Sequence, residues 1–289
     1  MNIPRINYRK HTRVVVMLFL LAFLLMMLFY RTFRNSVVPH FDEPVGGSQV
    51  AAVTGADKPV DVLLGRAQLS YAGGTEGRNK NIELGIERIN GTVIAPGAEF
   101  SYTKALGEVS EEAGFSKEKI FLNGEVTKGV GGGLCQISST LFQSVLRAGL
   151  PVTERHNHSY SVSYYDVGLD ATYADPGPDL KFVNDTQYPI TIKGAAADHL
   201  VTLELYGVSD GRIASTSEAE IVRVVDFPPT RTVKVSALEK DQAECINKPQ
   251  IGYTAKVIHN VFFPDGHTKE QIFTSVYKPL QRVCFVVGN

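Results

Sequence analysis

The sequence predicts an α+β protein: a membrane-anchored domain that mixes helices with strands, followed by a small all-β domain. Three observations carry that expectation. An apolar, Met-rich segment stands alone at the N-terminus. Helical and strand periods then alternate as far as Gly207. Beyond Gly207 only strand patterns and hairpin turns remain. At 289 residues the chain is long enough for one large or two modest domains with a real core. With 44% apolar and 20% charged residues, it is neither a disordered chain nor a polytopic membrane protein.

The N-terminus differs from the rest in composition. All four Met residues (Met1, Met17, Met26 and Met27) lie within the first 30 positions, with Arg5, Arg9, Lys10 and Arg13 and no acid. The remainder is net acidic, which argues against a nucleic-acid partner, since a binder would carry a basic body. Residues 1–13 read as a basic cytoplasmic segment. Val14 to Tyr30 is uncharged throughout; as a helix it would span about 26 Å, the short end of what crosses a bilayer. No small-x-small cleavage site follows, and the run ends Phe29-Tyr30-Arg31. Residues 14–30 therefore read as an uncleaved anchor in the lipid bilayer rather than a signal peptide. The excess of basic residues before the span places the N-terminus in the cytoplasm and the bulk of the chain outside.

Residues 31–75 read as a tether and entry to the domain, interrupted by Pro39, Pro44, Gly46, Gly47 and Pro59, with a first short strand at Val60–Leu64. Residues 76–207 form the main domain. Ile82, Ile86 and Ile89 recur at helical spacing, with Asn79 as a cap and Gly91 as the stop. Val93-Ile94, Pro96-Gly97 and Phe100 read as strand, turn, strand. Lys119 to Val126 reads as a hairpin about Asn123-Gly124. Then comes Gly129-Val130-Gly131-Gly132-Gly133-Leu134-Cys135-Gln136, opening a helix whose apolar stripe is Leu134, Ile137, Leu141, Val145 and Ala148. Arg147 suits its last turn, and Gly149 and Pro151 end it. Val152 to Tyr164 alternates as a strand, with Glu154, His156 and His158 on one side and Arg155 on the other. Leu180–Val183, Pro189–Lys193 and Leu200–Tyr206 supply further strands. Residues 208–289 read as all-β, with strands at Ile221–Val225, Thr232–Val235, Tyr253–Phe263, His267–Tyr277 and Val283–Val287.

Three cysteines on the outer side of a membrane are expected to pair where they can. Cys245 and Cys284 share the small β domain, and a disulfide between them would stabilise it by about 3–4 kcal/mol. Cys135 is left over. It stands in the first turn of a helix, where free N–H groups and the dipole favour a thiolate. The glycines before it, Gly132 and Gly133, let backbone approach a substrate and offer N–H groups to an oxyanion. His156 and His158 supply a proton carrier, and Asp170 or Asp166 can orient the imidazole, which completes a Cys–His–carboxylate set. Gln136 and Arg155 are candidate substrate contacts, Arg155 through its planar fork to a carboxylate, with a surface or salt-bridge role for Arg155 equally open. Three other readings stand beside this one. Cys135 can be a packed core residue. With His156 and His158 it can hold zinc, although a fourth ligand is not evident. The glycine loop lacks the lysine that a phosphate loop needs.

Residues 78 to about 193 resemble the VanW family of Gram-positive cell-envelope proteins, named from vancomycin-resistance clusters. The resemblance runs through Arg78-Asn79, Asn81-Ile82, Ile89-Asn90-Gly91, Pro96-Gly97, Phe100-Ser101 and Gly114-Phe115. It continues with Gly131-Gly132-Gly133-Leu134-Cys135-Gln136, Ser138-Ser139-Thr140-Leu141, Glu154-Arg155, His158-Ser159, Gly168, Asp170-Ala171-Thr172, Asp179-Leu180, Phe182 and Asn184. Residues 251–288 resemble, more weakly, the small extracellular β module often found beside such domains. The resemblance implies a cysteine-dependent L,D-transpeptidase that crosslinks peptidoglycan. Cys135 falls on the family's Cys-Gln motif and His158 on its Arg-x-x-His-Ser motif, which favours His158 over His156. On that reading the partners are peptidoglycan stem peptides, no metal or organic cofactor is required, and the product is a 3→3 crosslink. A cysteine peptidase or amidase on the same peptides, or a non-catalytic wall-binding scaffold, are the alternatives.

Overall fold

The computed structural model describes residues 60–122, 125–162, 165–236 and 245–287. The expected anchor at 14–30, most of the tether and the Asn123-Gly124 turn lie outside the described residues. Among the described residues no helix is long and apolar enough to cross a membrane.

The chain enters on β1 (Val62–Ser70), longer than the short strand expected at Val60–Leu64 because it pairs along its length with a later strand. Helix α1 (Glu76–Ile89) starts earlier than Asn79. Its cap is Thr75, whose side chain accepts the Arg78 N–H, and Glu76 sits in the first turn where the dipole favours an acid. Ile82, Ile86 and Ile89 are buried, as their spacing requires. There follow β2 (Val93–Ile94), β3 (Glu99–Ser101), the short α2 (Tyr102–Leu106) and the hairpin β4 (Lys117–Leu122) and β5 (Glu125–Val130). Then come α3 (Leu134–Arg147), β6 (Val152–Glu154), β7 (Lys181–Val183), β8 (Ile190–Ala197) and β9 (Leu200–Gly207). One antiparallel sheet has the order β1-β9-β8-β2, and a second, small one has the order β3-β7-β6.

Among the described residues the expected strand Val152–Tyr164 is formed only over Val152–Glu154, and its last two positions, 163 and 164, lie outside them. The reason lies in two later hydrogen bonds. The His158 N–H donates to a carboxylate oxygen of Asp170 at 2.6 Å, and the His156 carbonyl accepts the Thr172 N–H at 2.7 Å. The loop around Asp170 takes the backbone groups that a neighbouring strand would need, so His156 and His158 share no strand face.

Helix α3 lies at the centre of the molecule. Its apolar stripe is buried as expected, but so are Ser138, Ser139, Thr140 and Ser144. Each hydroxyl finds a carbonyl: Ser144 donates to Leu203 on β9 at 2.8 Å, and Ser138 to Ala171 at 2.5 Å. Small hydroxyls thus seat the helix against the sheet on one side and the Asp170 loop on the other.

The all-β part comprises β10 (Ile213–Thr216), β11 (Glu220–Val225), β12 (Arg231–Val235), β13 (Cys245–Ile246), β14 (Gly252–Phe262), β15 (Thr268–Tyr277) and β16 (Val283–Val287). β15 pairs along nearly all of β14, so β10 and β11 share the other edge of β14 end to end. β12 and β13 flank β16, and Cys245 is bonded to Cys284 across the β13–β16 pair. This part packs on α3: Phe273 of β15 meets Phe142 edge-on at 5.1 Å and joins the main core.

Candidate active site

Cys135 sits one residue inside α3 and is half-buried. The helix has no side-chain cap; its N-cap is Gly133, held at φ 112° in the left-handed region that glycine tolerates and other residues rarely adopt. The Tyr173 N–H donates to the Cys135 sulfur at 3.4 Å. The ring of Tyr173 packs edge to face on Tyr102 at 5.3 Å. Burial, with the neighbouring Asp175, Cys135 and Asp179 adding to it, pushes the Tyr173 phenol up to about 12.

The Cys135 thiol donates to the Tyr173 carbonyl at 3.4 Å, and the Cys135 side chain is among the groups that raise the pKa of His158. The Nδ1 of His158 is 2.7 Å from Asp170 Oδ2, and its ring stacks on Tyr165 at 5.8 Å. Burial alone would lower the pKa of this imidazole. The hydrogen bonds to Asp170 and Cys135 and the attraction of both groups outweigh it and push the value up to about 9.

Asp170 is the hub of the site. Its side chain is 2% exposed. Oδ2 accepts both the ring and the backbone N–H of His158, while Oδ1 accepts Arg155 Nη2 at 3.0 Å and the Tyr277 hydroxyl at 2.6 Å. Burial would raise its pKa, but the bond from His158 and the charges of Arg155 and His158 hold the carboxyl below the ordinary range. It is therefore ionised at neutral pH and orients the His158 ring through Nδ1.

The structure places the other expected site residues elsewhere. Arg155 is no substrate fork. Its side chain is 3% exposed and spends its donors on Asp170, the Gly168 carbonyl and Ser275, with its guanidinium 5.2 Å from the Phe142 ring. His156 is 53% exposed and pairs with Glu154 at 3.2 Å. Gln136 is buried, taking a bond from Arg78 and giving one to the Ser70 carbonyl, so both ends of its amide are occupied. The Gly132 carbonyl accepts Asn81 Nδ2 at 3.1 Å. Asp166 is exposed. Among the described residues no group of three or more His, Cys, Asp or Glu side chains could hold a metal ion.

Sequence reasoning missed three contributors. Ser139 accepts the Ala171 N–H at 2.9 Å and so fixes the Asp170 loop on the helix that carries Cys135. Ser275 and Tyr277 reach the site from β15. The Ser138-Ser139-Thr140 run, polar where an amphipathic helix is being buried, was the available signal for the first; nothing local marked the other two.

Comparison with known families finds a match over the region that holds these residues. Residues 77–206, which hold Cys135, His158 and Asp170, match the model described as VanW like protein. The chain carries a VanW domain. Over 143 residues the chain is 36% identical to the uncharacterized protein YoaR of Bacillus subtilis (strain 168), a match covering 50% of this chain and 47% of that one. Over 111 residues it is 32% identical to the vancomycin B-type resistance protein VanW of Enterococcus faecalis (strain ATCC 700802 / V583), covering 37% and 40%. The matched region is thus less than half the length of either relative. No solved structure matches the chain. The VanW domain ends at β9, so β15 and its site residues lie beyond the matched residues.

Proposed function

We propose that this protein is a cell-envelope acyltransferase of the L,D-transpeptidase kind, with Cys135 as nucleophile, His158 as proton carrier and Asp170 as the group that orients it. The observation that carries the reading is His158 held through Nδ1 at 2.7 Å by the buried Asp170, which Arg155 also holds, with Cys135 among the groups that act on the same imidazole. That is the constellation of a thiol activated by an imidazole that a third group orients. The name of the resistance-protein relative, and the resemblance of residues 78–193 to cell-envelope proteins, support wall peptides as the substrate class. Residues 14–30 would hold the enzyme at the membrane with its site outside.

The Cys135 thiolate attacks the carbonyl carbon of the bond between the L-centre of a diamino acid and a terminal D-residue. The tetrahedral oxyanion is assigned to the N–H of Cys135, because Leu134 and Gln136 donate to the Gly131 and Gly133 carbonyls. As the C–N bond breaks, imidazolium at His158 gives its proton to the departing amine. A side-chain amine of a second stem peptide then attacks the thioester, His158 takes the proton it sheds, and thiolate leaves. The product is one new amide for the one broken.

The test is incubation of the full chain in detergent with defined muropeptides, read by mass spectrometry beside Cys135→Ala. A dimer lighter than two monomers by one D-amino acid, absent with Cys135→Ala, is expected. Loss of the D-residue without a dimer would make the enzyme a peptidase. Unchanged products with Cys135→Ala would leave a wall-binding scaffold.

A further inference from the structure

Strand β15 lies outside the matched VanW residues, yet it holds the loop that carries His158. Asn157 donates its side-chain amide to the Val276 carbonyl at 2.9 Å and accepts the Val276 N–H at 3.3 Å. The Ser159 carbonyl accepts the Lys278 N–H at 2.7 Å. His158 is therefore pinned on both sides to the β15 chain, as a short extra strand would be.

Between those two anchors stands Tyr277. Strand alternation buries Phe273, Ser275 and Tyr277 on one face of β15 and leaves Ile272, Thr274 and Val276 outward. Two of the three inward residues go to the site. The Tyr277 hydroxyl accepts the Gly168 N–H at 3.0 Å, which turns its own proton toward Asp170 Oδ1 at 2.6 Å. Ser275 accepts Arg155 Nη1 at 2.8 Å and so keeps the guanidinium against the same carboxylate.

We infer that Tyr277 is a positioning residue of the nucleophile site and that the hairpin β14–β15 is a working part of it. The VanW domain alone supplies Cys135, His158 and Asp170; the hairpin supplies the direction and charge state in which they are used. This rests on the acyl-transfer reading for its consequence, and on hydrogen bonds alone for its geometry.

The test is Tyr277→Phe in the full chain, with the His158 ring titrated by NMR. The ring's titratable neighbours are Cys135 on α3, Asp170 and the stacked Tyr165, with Arg155 and Tyr277 behind Asp170. Losing the hydroxyl leaves more negative charge on Asp170 for His158, so the His158 midpoint is expected to rise, by up to about one pH unit for one hydrogen bond. A tyrosine that only fills space would leave the midpoint in place and lower thermal stability alone, and an unchanged midpoint overturns the inference. Should Tyr277→Phe fail to fold, Ser275→Ala carries the same expectation, because it loosens Arg155 from the carboxylate. The result is separable from the reaction: if wall-peptide chemistry survives Cys135→Ala, the transpeptidase reading fails while a shifted midpoint still stands.

Discussion

His158 and Asp170 divide the protonation work. Burial opposes charge on His158, but its bonds to Asp170 and Cys135 carry the pKa up to about 9, above the ordinary 6.5. A raised histidine stabilises the fold fully below its unfolded value, and that stability is lost as pH rises through about 9. In the proposed reaction the same proton goes to the leaving amine, so turnover is expected to fall along an alkaline limb near pH 9. Asp170→Asn removes the anion and should move that limb to lower pH; a limb that stays near 9 would separate His158 from the reaction. Asp170→Ala is expected to cost about 3–5 kcal/mol in denaturant unfolding, because it strands the buried Arg155 charge. Cys135, His158 and Asp170 were legible as candidate residue types. The burial of Arg155 was not. Within an alternating stretch a charged residue reads as surface, and its burial depends on a carboxylate 15 positions away.

At the scale of elements, the sequence announced α3 by its apolar stripe, and the structure buries it all round. The difference lies in contacts that no local period encodes. Gly65 on β1 is one: a Cβ there would press on the Ser144 carbonyl and lie 2.7 Å from the Ala148 nitrogen. Glycine lets the strand rest on the helix backbone itself. Gly65→Ala is expected to destabilise by about 1–3 kcal/mol, the usual cost of overpacking, as a lower urea midpoint. An unchanged midpoint would mean that β1 is not seated on α3. The loop after Glu154 shows the opposite case. Its alternation was genuine, but strand periodicity records only which side chains could alternate, not whether a partner strand exists. Here the would-be partner is a carboxylate, and the loop that results aims His158 where a strand would have turned it by rote.

For the whole molecule, the cross-link between Cys245 and Cys284 closes a loop around the β14–β15 hairpin, the two cysteines being 39 residues apart. The pairing was legible because only those two cysteines share the all-β region; that the enclosed hairpin reaches the nucleophile site was not, since Tyr277 meets Asp170 across 107 residues. The bond and the site then respond differently to reduction. Chain entropy assigns the cross-link about 3–4 kcal/mol, which for a chain of this size is a fall in Tm on the order of 10 °C. The hairpin's place at the site depends instead on ten backbone-paired positions with β14 and on Phe273 in the core. The double variant Cys245→Ser, Cys284→Ser is therefore expected to melt earlier by that amount and yet, below its melting point, to titrate His158 at the wild-type midpoint. A displaced midpoint in the folded variant would show that the disulfide holds β15 in register, and that oxidation of this pair governs the site as well as the stability of the fold.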